Sequence, residues 1–290
     1  MRILVIGGTG KVGSRLVRKL QNHGAMVRVL TRDAERAASL LGDVESVAAD
    51  LTGDPTGCMP AFAEVDAVFM LNRPTLEETA EGLLAVEIAR SAGVRRFVYQ
   101  SVFEAETLAH LPHVAPKIAI QSAVTRSGME WTLICPNHFF QNDQFVRASL
   151  SERDQYDLPV GAIGCSSVDA DDIADAAAII LTKEGHGGKS YPLVGPQVLT
   201  GEDCAATWSS VLGRPIRYSG DVHRWQAAMR PFMPAWFNYD LAMMYRIFGE
   251  HGFAARQGDV DSVTNLLSRA PRSYGEYVAQ QAEEWGFLAS

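Results

Sequence analysis

The sequence predicts an α/β protein, in which a doubly wound parallel sheet is followed by a smaller, mostly helical C-terminal lobe. Short apolar runs alternate with helical patterns through the first half of the 290-residue chain, and a glycine-rich loop follows the first run. From about residue 200 onward, the strand-like runs give way to a segment rich in aromatic residues. Strands joined by crossovers long enough to hold a helix form βαβ units, and such units build a parallel sheet.

Six apolar runs in the first half have the length and composition of strands buried on both faces: residues 3–6, 27–30, 44–48, 67–71, 97–99 and 131–134. Two helical stripes are predicted between them, the first formed by Val12, Leu16, Val17 and Leu20, the second by Ala80, Leu83, Leu84 and Ile88. A further helix is predicted to begin just after Val168, and a further strand at residues 190–194.

The length of the chain suits one large domain joined to a smaller lobe. No low-complexity linker separates the two halves of the sequence. We therefore predict that residues 1–136 and about 166–195 form the sheet domain, whereas about 137–165 and 196–290 form the second lobe.

Composition narrows the classes of function. The chain has 26 Lys+Arg against 34 Asp+Glu, a net charge of −8, and no basic block of the kind that binds nucleic acid. Its cysteines lack CxxC spacing, so neither a metal site nor a disulfide framework is expected: Cys58, Cys135, Cys165 and Cys204. No apolar stretch has the length of a secretory signal or a membrane span. These features predict a cytoplasmic protein.

The loop after the first strand reads Gly7-Gly8-Thr9-Gly10-Lys11-Val12-Gly13 and leads directly into the first helical stripe. Glycines at this spacing permit a tight turn and a close approach of the backbone to a pyrophosphate, and the following helix N-terminus supplies N–H donors and a positive dipole end. A strand before and a helix after the loop are the context in which this motif indicates the dinucleotide site of a Rossmann domain. The alternative is a glycine turn without a ligand.

The end of the second strand distinguishes NAD from NADP, because an acidic residue there binds the ribose 2′-hydroxyl and repels a 2′-phosphate. This strand ends at Arg32, whose planar guanidinium suits a phosphate, and Lys11 adds a second charge. Asp33 is interpreted as the cap of the next helix. NADP(H) is the predicted cofactor, unless Arg32 is only a solvated surface charge.

Further cofactor contacts are predicted where the next two strands end, since open α/β sheets bind ligands at that edge. Asp50 and Leu51 follow the third strand. Asp50 is either an acceptor for the adenine amine or a turn former. Asn72 and Arg73 follow the fourth strand, where their backbone is expected to contact the cofactor.

Beyond the glycine loop, the sequence resembles the NmrA-like family of atypical short-chain dehydrogenases/reductases. The matching segments are Phe-Val-Tyr-Gln-Ser at 97–101, Lys117, Ser-Gly-Met-Glu-Trp-Thr-Leu-Ile at 127–134, Pro-Asn-His-Phe-Phe-Gln-Asn at 136–142, Asp-Ile-Ala at 172–174 and Pro-Arg-Ser-Tyr at 271–274. The resemblance covers nearly the whole chain. It implies a cofactor site that includes Ser101 and Lys117.

In reductases of this family, the lysine that matches Lys117 holds the nicotinamide ribose and in some members also takes part in proton transfer. The sequence departs from the Tyr-x-x-x-Lys pattern of short-chain dehydrogenases, because His113 stands four residues before Lys117. His113 either replaces the missing phenol as the proton donor or is only a polar surface residue. Gln121 stands where the family commonly has Glu, and Cys135 where it often has Arg.

Aromatic residues predict the substrate class. Phe139, Phe140 and Asn142 follow the sixth strand, where the family places the wall beside the nicotinamide. Trp225, Phe232 and Trp236 are predicted on the facing side. Each of these aromatic residues, Phe139 and Phe140 included, either lines the pocket or belongs to the core. A pocket of this composition favours a flat apolar or aromatic substrate.

The resemblance implies a cytoplasmic NADPH-dependent reductase that transfers hydride to a small-molecule quinone, enone, imine or carbonyl. A second interpretation comes from another class, since NmrA-like proteins include sensors that bind NADP(H) and a partner protein without turnover. The absent tyrosine favours the sensor, whereas Lys117 and the aromatic residues favour the enzyme. A homodimer or a regulatory protein partner is compatible with both.

Overall fold

The computed structural model describes residues 1–288. The chain divides into two compact units. The first comprises Met1–Pro136 and Ala170–Pro192, and the second comprises Asn137–Asp169 together with the chain from Leu193 onward.

A seven-stranded sheet forms the centre of the first unit. Its strands are β1 (Arg2–Ile6), β2 (Met26–Thr31), β3 (Glu45–Ala48), β4 (Ala67–Met70), β5 (Arg96–Gln100), β6 (Glu130–Pro136) and β8 (Lys189–Leu193). They lie in the order β3-β2-β1-β4-β5-β6-β8, and the five pairings from β3 to β6 are parallel. The order reverses between β1 and β4, which is the doubly wound arrangement. The predicted fold class is confirmed.

Helices cover both faces of this sheet: α1 (Lys11–Asn22), α2 (Ala34–Leu41), α3 (Pro55–Phe62), α4 (Glu78–Ser91), α5 (Ala115–Thr125) and α7 (Ala170–Thr182). The predicted stripe of α1 is buried, because Val12, Leu16, Val17 and Leu20 are each 0% exposed. One core cluster unites the sheet with α3, α4 and α5, whereas α1 packs beside α7. Strands buried between two helical layers explain the nearly continuous apolar runs in the sequence.

The prediction of the apolar face of α4 is mostly wrong, although Ile88 is partly buried and packs against the core. Leu83 is 42% exposed, and the buried face instead consists of small residues with one carboxylate at its N-terminal end: Glu78, Gly82, Ala85, Val86 and Ala89. A Cβ at Gly82 would overlap the side chain of Ile120 on α5. Close packing of α4 on α5 therefore selects small residues, which a search for large apolar side chains at helical spacing does not find.

The second unit is mostly helical. Its elements are α6 (Arg147–Arg153), α8 (Gly201–Leu212), α9 (Val222–Met229), α10 (Ala235–His251), α11 (Gln257–Leu267) and α12 (Tyr274–Glu284), with short 3₁₀ segments at Phe140–Val146 and Arg230–Phe232. A small two-stranded sheet, which the sequence patterns do not predict, pairs β7 (Gln155–Tyr156) with β9 (Arg217–Tyr218). Strands of two residues are too short for a recognisable alternation of apolar and polar side chains.

A buried carboxylate joins several elements of the second unit. Asp143, 2% exposed, accepts hydrogen bonds from the Tyr156 hydroxyl at 2.8 Å, from Trp208 Nε1 at 3.0 Å and from the Tyr274 hydroxyl. These donors stand on β7, α8 and α12. Satisfied polar networks of this kind fix one arrangement of the surrounding elements.

No helix within residues 1–288 combines the length and the apolar character needed to cross a bilayer.

Candidate functional site

The glycine loop between β1 and α1 contains two glycines that the fold itself requires. Gly7 has φ +84°, and a Cβ there would overlap the carbonyl oxygen of Leu71. A Cβ at Gly13 would overlap the carbonyl oxygen of Gly7 and lie 2.8 Å from Gly8 Cα. Larger residues at positions 7 and 13 are therefore excluded by the close packing of the loop, with or without a ligand.

Gly10 differs, because the backbone around it does not demand glycine. It is exposed, its backbone is extended (φ −84°, ψ 178°), and a Cβ would meet only the Gly7 carbonyl oxygen, at 3.2 Å. Gly10 is also the N-cap of α1; among the described residues no side chain caps this helix, and its first turn holds no acidic group. An exposed helix N-terminus without a cap or an acidic side chain is the kind of position that can accept an anionic group such as a pyrophosphate.

The other predicted residues of the loop differ in accessibility. Thr9 and Lys11 are partly exposed, whereas the side chain of Val12 is 0% exposed and belongs to the core. A contact between Val12 and the cofactor therefore stays a prediction.

The end of β2 carries an accessible cation beside an anion. The side chain of Arg32 is 51% exposed, and its Nη1 lies 3.9 Å from Asp50 Oδ2. Asp33 caps α2 by accepting a hydrogen bond from the Arg36 backbone N–H at 2.9 Å, which confirms its predicted role. The guanidinium of Arg32 is thus accessible, and its predicted contact with a 2′-phosphate stays a prediction.

Asp50 forms the turn after β3. Its Oδ1 accepts hydrogen bonds from the Thr52 backbone N–H at 3.0 Å, from Thr52 Oγ1 at 2.9 Å and from the Gly53 backbone N–H at 3.2 Å. The backbone donors of Gly53 and Thr52 are the main causes that lower the pKa of Asp50. Leu51 is buried. An adenine contact by Asp50 stays a prediction, and it would have to use the oxygen that faces Arg32.

Buried polar side chains lie where β4 and β5 end. Asn72, 5% exposed, donates from Nδ2 to Glu81 Oε2 at 3.3 Å, and its Oδ1 has no hydrogen-bond partner among residues 1–288. Ser101 is 2% exposed and accepts a hydrogen bond from Gln121 Nε2. Arg73, by contrast, is exposed. Gln121, which stands where the family commonly has Glu, thus donates a hydrogen bond to the predicted site residue Ser101.

Lys117 forms a buried ion pair with a residue that the sequence analysis missed. Its Nζ donates to Glu78 Oε1 at 2.6 Å, and the two side chains are 6% and 0% exposed. Burial raises the pKa of Glu78, and the positive charges of Lys117 and His113 oppose that rise. Lys117, His113 and Glu78 therefore form one electrostatic cluster in the first unit. Tyr99 belongs to its surroundings, since the Glu78 charge adds to the burial that raises the Tyr99 pKa.

The predicted aromatic residues of the second unit occupy different environments. Phe140 is 2% exposed, with its ring centroid 5.1 Å from that of Tyr274. Trp225 is 3% exposed, and its ring centroid lies 4.9 Å from that of Tyr245. Phe232 is 78% exposed. Phe140 and Trp225 thus contribute to the core of this unit, as the second of the two interpretations holds.

The other predicted aromatic and polar residues of this unit are partly exposed. Trp236 is half-buried against Phe237, at 5.3 Å between ring centroids. Phe139 and Asn142 are also half-buried. Phe139 and Phe140 line a pocket together with His138 and Asp143, and the pocket has room for about one water molecule.

The sequence profile of the NmrA-like family matches residues 1–278. The chain belongs to the NmrA-like family. Among the relatives of this chain, an NAD(P)H azoreductase from Xenophilus azovorans is 32% identical over 287 residues, covering 98% of this chain and 99% of the relative. A (4-alkanoyl-5-oxo-2,5-dihydrofuran-3-yl)methyl phosphate reductase from Streptomyces griseus is 30% identical, covering 97% and 98%.

A solved structure has the same fold. The NADPH-dependent quinone oxidoreductase of Escherichia coli, in complex with NADPH, superimposes with a TM-score of 0.84 at 21% identity, over 96% of this NmrA-like chain and 99% of that one. At this identity the likeness establishes the fold alone.

No sequence pattern of the NmrA-like chain selects Glu78 as a site residue. An acidic residue in the first turn of a helix is common because it interacts favourably with the helix dipole, so its presence at the start of α4 indicates nothing more. Its partner lies 39 positions away in the sequence. Only the packing of α4 on α5 reveals the pair.

Proposed function

We propose that this NmrA-like protein is an NADPH-dependent reductase of small, flat, electron-poor acceptors. One observation carries the cofactor part of the proposal: the exposed Gly10 at the N-terminus of α1, which no side chain of the described residues caps. Gly7 and Gly13 build this cradle, and the N-terminal end of the helix holds the pyrophosphate. Arg32 contributes a charge-assisted contact to the 2′-phosphate.

NADPH, when bound, supplies a hydride from the nicotinamide C4. The protein binds and orients both reactants. Lys117 is assigned to the nicotinamide ribose. One N–H of its ammonium group donates to Glu78, and the remaining N–H groups are available to donate to the ribose hydroxyls. Asn72 Oδ1 offers a buried acceptor beside the end of β4, and Ser101 offers a hydroxyl at the end of β5.

The acceptor class is proposed from chemistry. The two curated relatives are named for reducing an azo compound and an alkanoyl-substituted unsaturated lactone that carries a methyl phosphate group. Electron-poor conjugated groups accept hydride without a strong general acid, which agrees with the lack of a tyrosine four residues before Lys117. We assign contacts with the acceptor to Phe139 and Asn142, which are only half-buried. A cytoplasmic location and a homodimer remain predictions.

Anaerobic NADPH consumption tests the proposal, with azo dyes, quinones, enones, imines and ketones as acceptors. Wild type should consume NADPH with at least one class. Gly10→Val is the matched control, because a side chain there fills the proposed pyrophosphate space while meeting only one backbone oxygen. It should stay folded and lose NADPH binding. Tight binding without consumption of any acceptor would favour a regulator over the reductase.

A further inference from the structure

We propose that Glu78 is the positioning residue of Lys117, so that this buried carboxylate fixes the ammonium group in the geometry that the bound cofactor requires. The inference rests on the proposed function, since it takes Lys117 to be the ribose-holding lysine. Nothing in the sequence patterns assigns a role to Glu78.

Helix packing creates the contact. Glu78 precedes Gly82 by one helical turn on α4, and Lys117 precedes Ile120 by three residues on α5. Residues three and four apart share one face of a helix. Gly82 admits Ile120 so closely that a Cβ would overlap it. The same close approach brings Glu78 Oε1 to 2.6 Å from Lys117 Nζ.

The ionised form of Glu78 depends on the charges around it. Glu78 is 0% exposed, so its ionised form loses all contact with water and depends on neighbouring cations. Lys117 forms the direct contact. His113 also lowers the pKa of Glu78 and the negative charge of Glu81 raises it, while the charge of Glu78 in turn raises the pKa of Tyr99. A buried ion whose partner is removed is strongly penalised. Each member therefore keeps the other in place.

This arrangement limits the motion of Lys117. A lysine side chain has several rotatable bonds and adopts many rotamers when it is unpaired. Anchoring one N–H on Glu78 leaves the remaining donors of Nζ in defined directions. A small displacement of a positioning group lowers the reaction rate more than it lowers binding, because phosphate contacts elsewhere carry most of the affinity.

A double-mutant cycle tests the proposal, using Glu78→Gln, Lys117→Met and the combined variant. The measured quantities are kcat, the NADPH Kd, and the fluorescence enhancement of bound NADPH without an acceptor. Glu78→Gln should lower kcat by about tenfold or more, with the NADPH Kd changed by less than about threefold. The combined variant should be no slower than Lys117→Met, because Glu78 acts only through Lys117. Glu87→Gln is the control, as an exposed carboxylate of the same helix.

The inference is overturned if Glu78→Gln keeps the wild-type kcat and NADPH fluorescence, or if Glu78→Gln changes the NADPH Kd as much as it changes kcat. It is also overturned if the loss of kcat in the combined variant is the product of the losses in the two single variants. If Glu78→Gln unfolds, the combined variant, which removes both charges, decides the question through comparison with Lys117→Met. A wild-type protein that binds NADPH without turnover refutes the reductase proposal alone. The fluorescence cycle then still tests the positioning role.

Discussion

Arg32 and Asp50 end neighbouring strands with opposite charges 3.9 Å apart. The anion of Asp50 is already engaged by the turn that it forms, and hydrogen bonds from that turn keep its pKa low. Arg32 is half exposed and therefore the accessible member. The exposed guanidinium of Arg32 thus favours a phosphate as the ligand at this edge of the sheet.

Arg32→Ala should weaken NADPH by about tenfold to a hundredfold and NADH much less, because only NADPH loses a charge-assisted contact. Calorimetric titration with both cofactors measures the difference. Arg90→Ala, an exposed arginine of similar accessibility on α4, provides the control. Equal losses for the two cofactors would show that Arg32 does not contact the 2′-phosphate.

Lys117→Met leaves the Glu78 carboxyl buried without its direct partner. Burial then raises the pKa of Glu78 with only His113 opposing it. A carboxyl whose folded pKa lies above its unfolded value, about 4.3, contributes stability at low pH that is lost as pH rises through the folded pKa. Near neutral pH the variant should be less stable by roughly 3–5 kcal/mol.

Urea unfolding of Lys117→Met at a series of pH values measures how the free energy of unfolding falls as the pH rises. The combined Glu78→Gln/Lys117→Met variant has no carboxyl at position 78 to ionise, so its stability should lack this contribution to the pH dependence. A Lys117→Met curve parallel to that of the combined variant would contradict the account of the buried pair.

At the level of elements, sequence patterns succeed where burial leaves a local signature. The sequence predicts all seven strands of the large sheet to within two residues. Most of these strands are apolar runs because they are covered on both faces. The glycine loop was predicted because Gly7 and Gly13 are required by local packing.

The same patterns fail where packing is not local. The buried face of α4 has small residues, so Leu83 misdirected the prediction and Glu78 was missed. The sequence predicts Phe140, Trp225 and Phe232 only as alternatives between core and pocket, because aromatic content does not specify exposure. Their exposures of 2%, 3% and 78% depend on tertiary contacts.

Gly82→Ala tests the packing of α4 on α5. Alanine favours helices by about 1 kcal/mol over glycine, but overpacking against Ile120 should cost roughly 1–3 kcal/mol. We expect a net loss of stability in urea unfolding. Gly249→Ala, in α10 with no atom within 4 Å of the added Cβ, should instead gain stability. A stabilised Gly82→Ala would mean that the two helices approach less closely.

At the scale of the whole molecule, the NmrA-like chain combines a doubly wound sheet unit with a mostly helical unit. The cofactor cradle, the predicted phosphate contact at Arg32 and the Lys117–Glu78 pair all belong to the first unit. The second unit holds the aromatic residues and the Asp143 network. The residues proposed to hold the cofactor therefore belong to the first unit, and Phe139 and Asn142, proposed to contact the acceptor, belong to the second.

Transfer of deuterium from NADPH labelled at C4 tests the central claim most directly. The protein is mixed anaerobically with each stereoisomer of the labelled cofactor and with an enone that the acceptor panel shows to be reduced, or with the azo and quinone acceptors if no enone reacts. The account predicts stoichiometric NADPH oxidation, with the label in the enone product for one stereoisomer only. Saturable NADPH binding with no oxidation and no reduced product from any acceptor would contradict it.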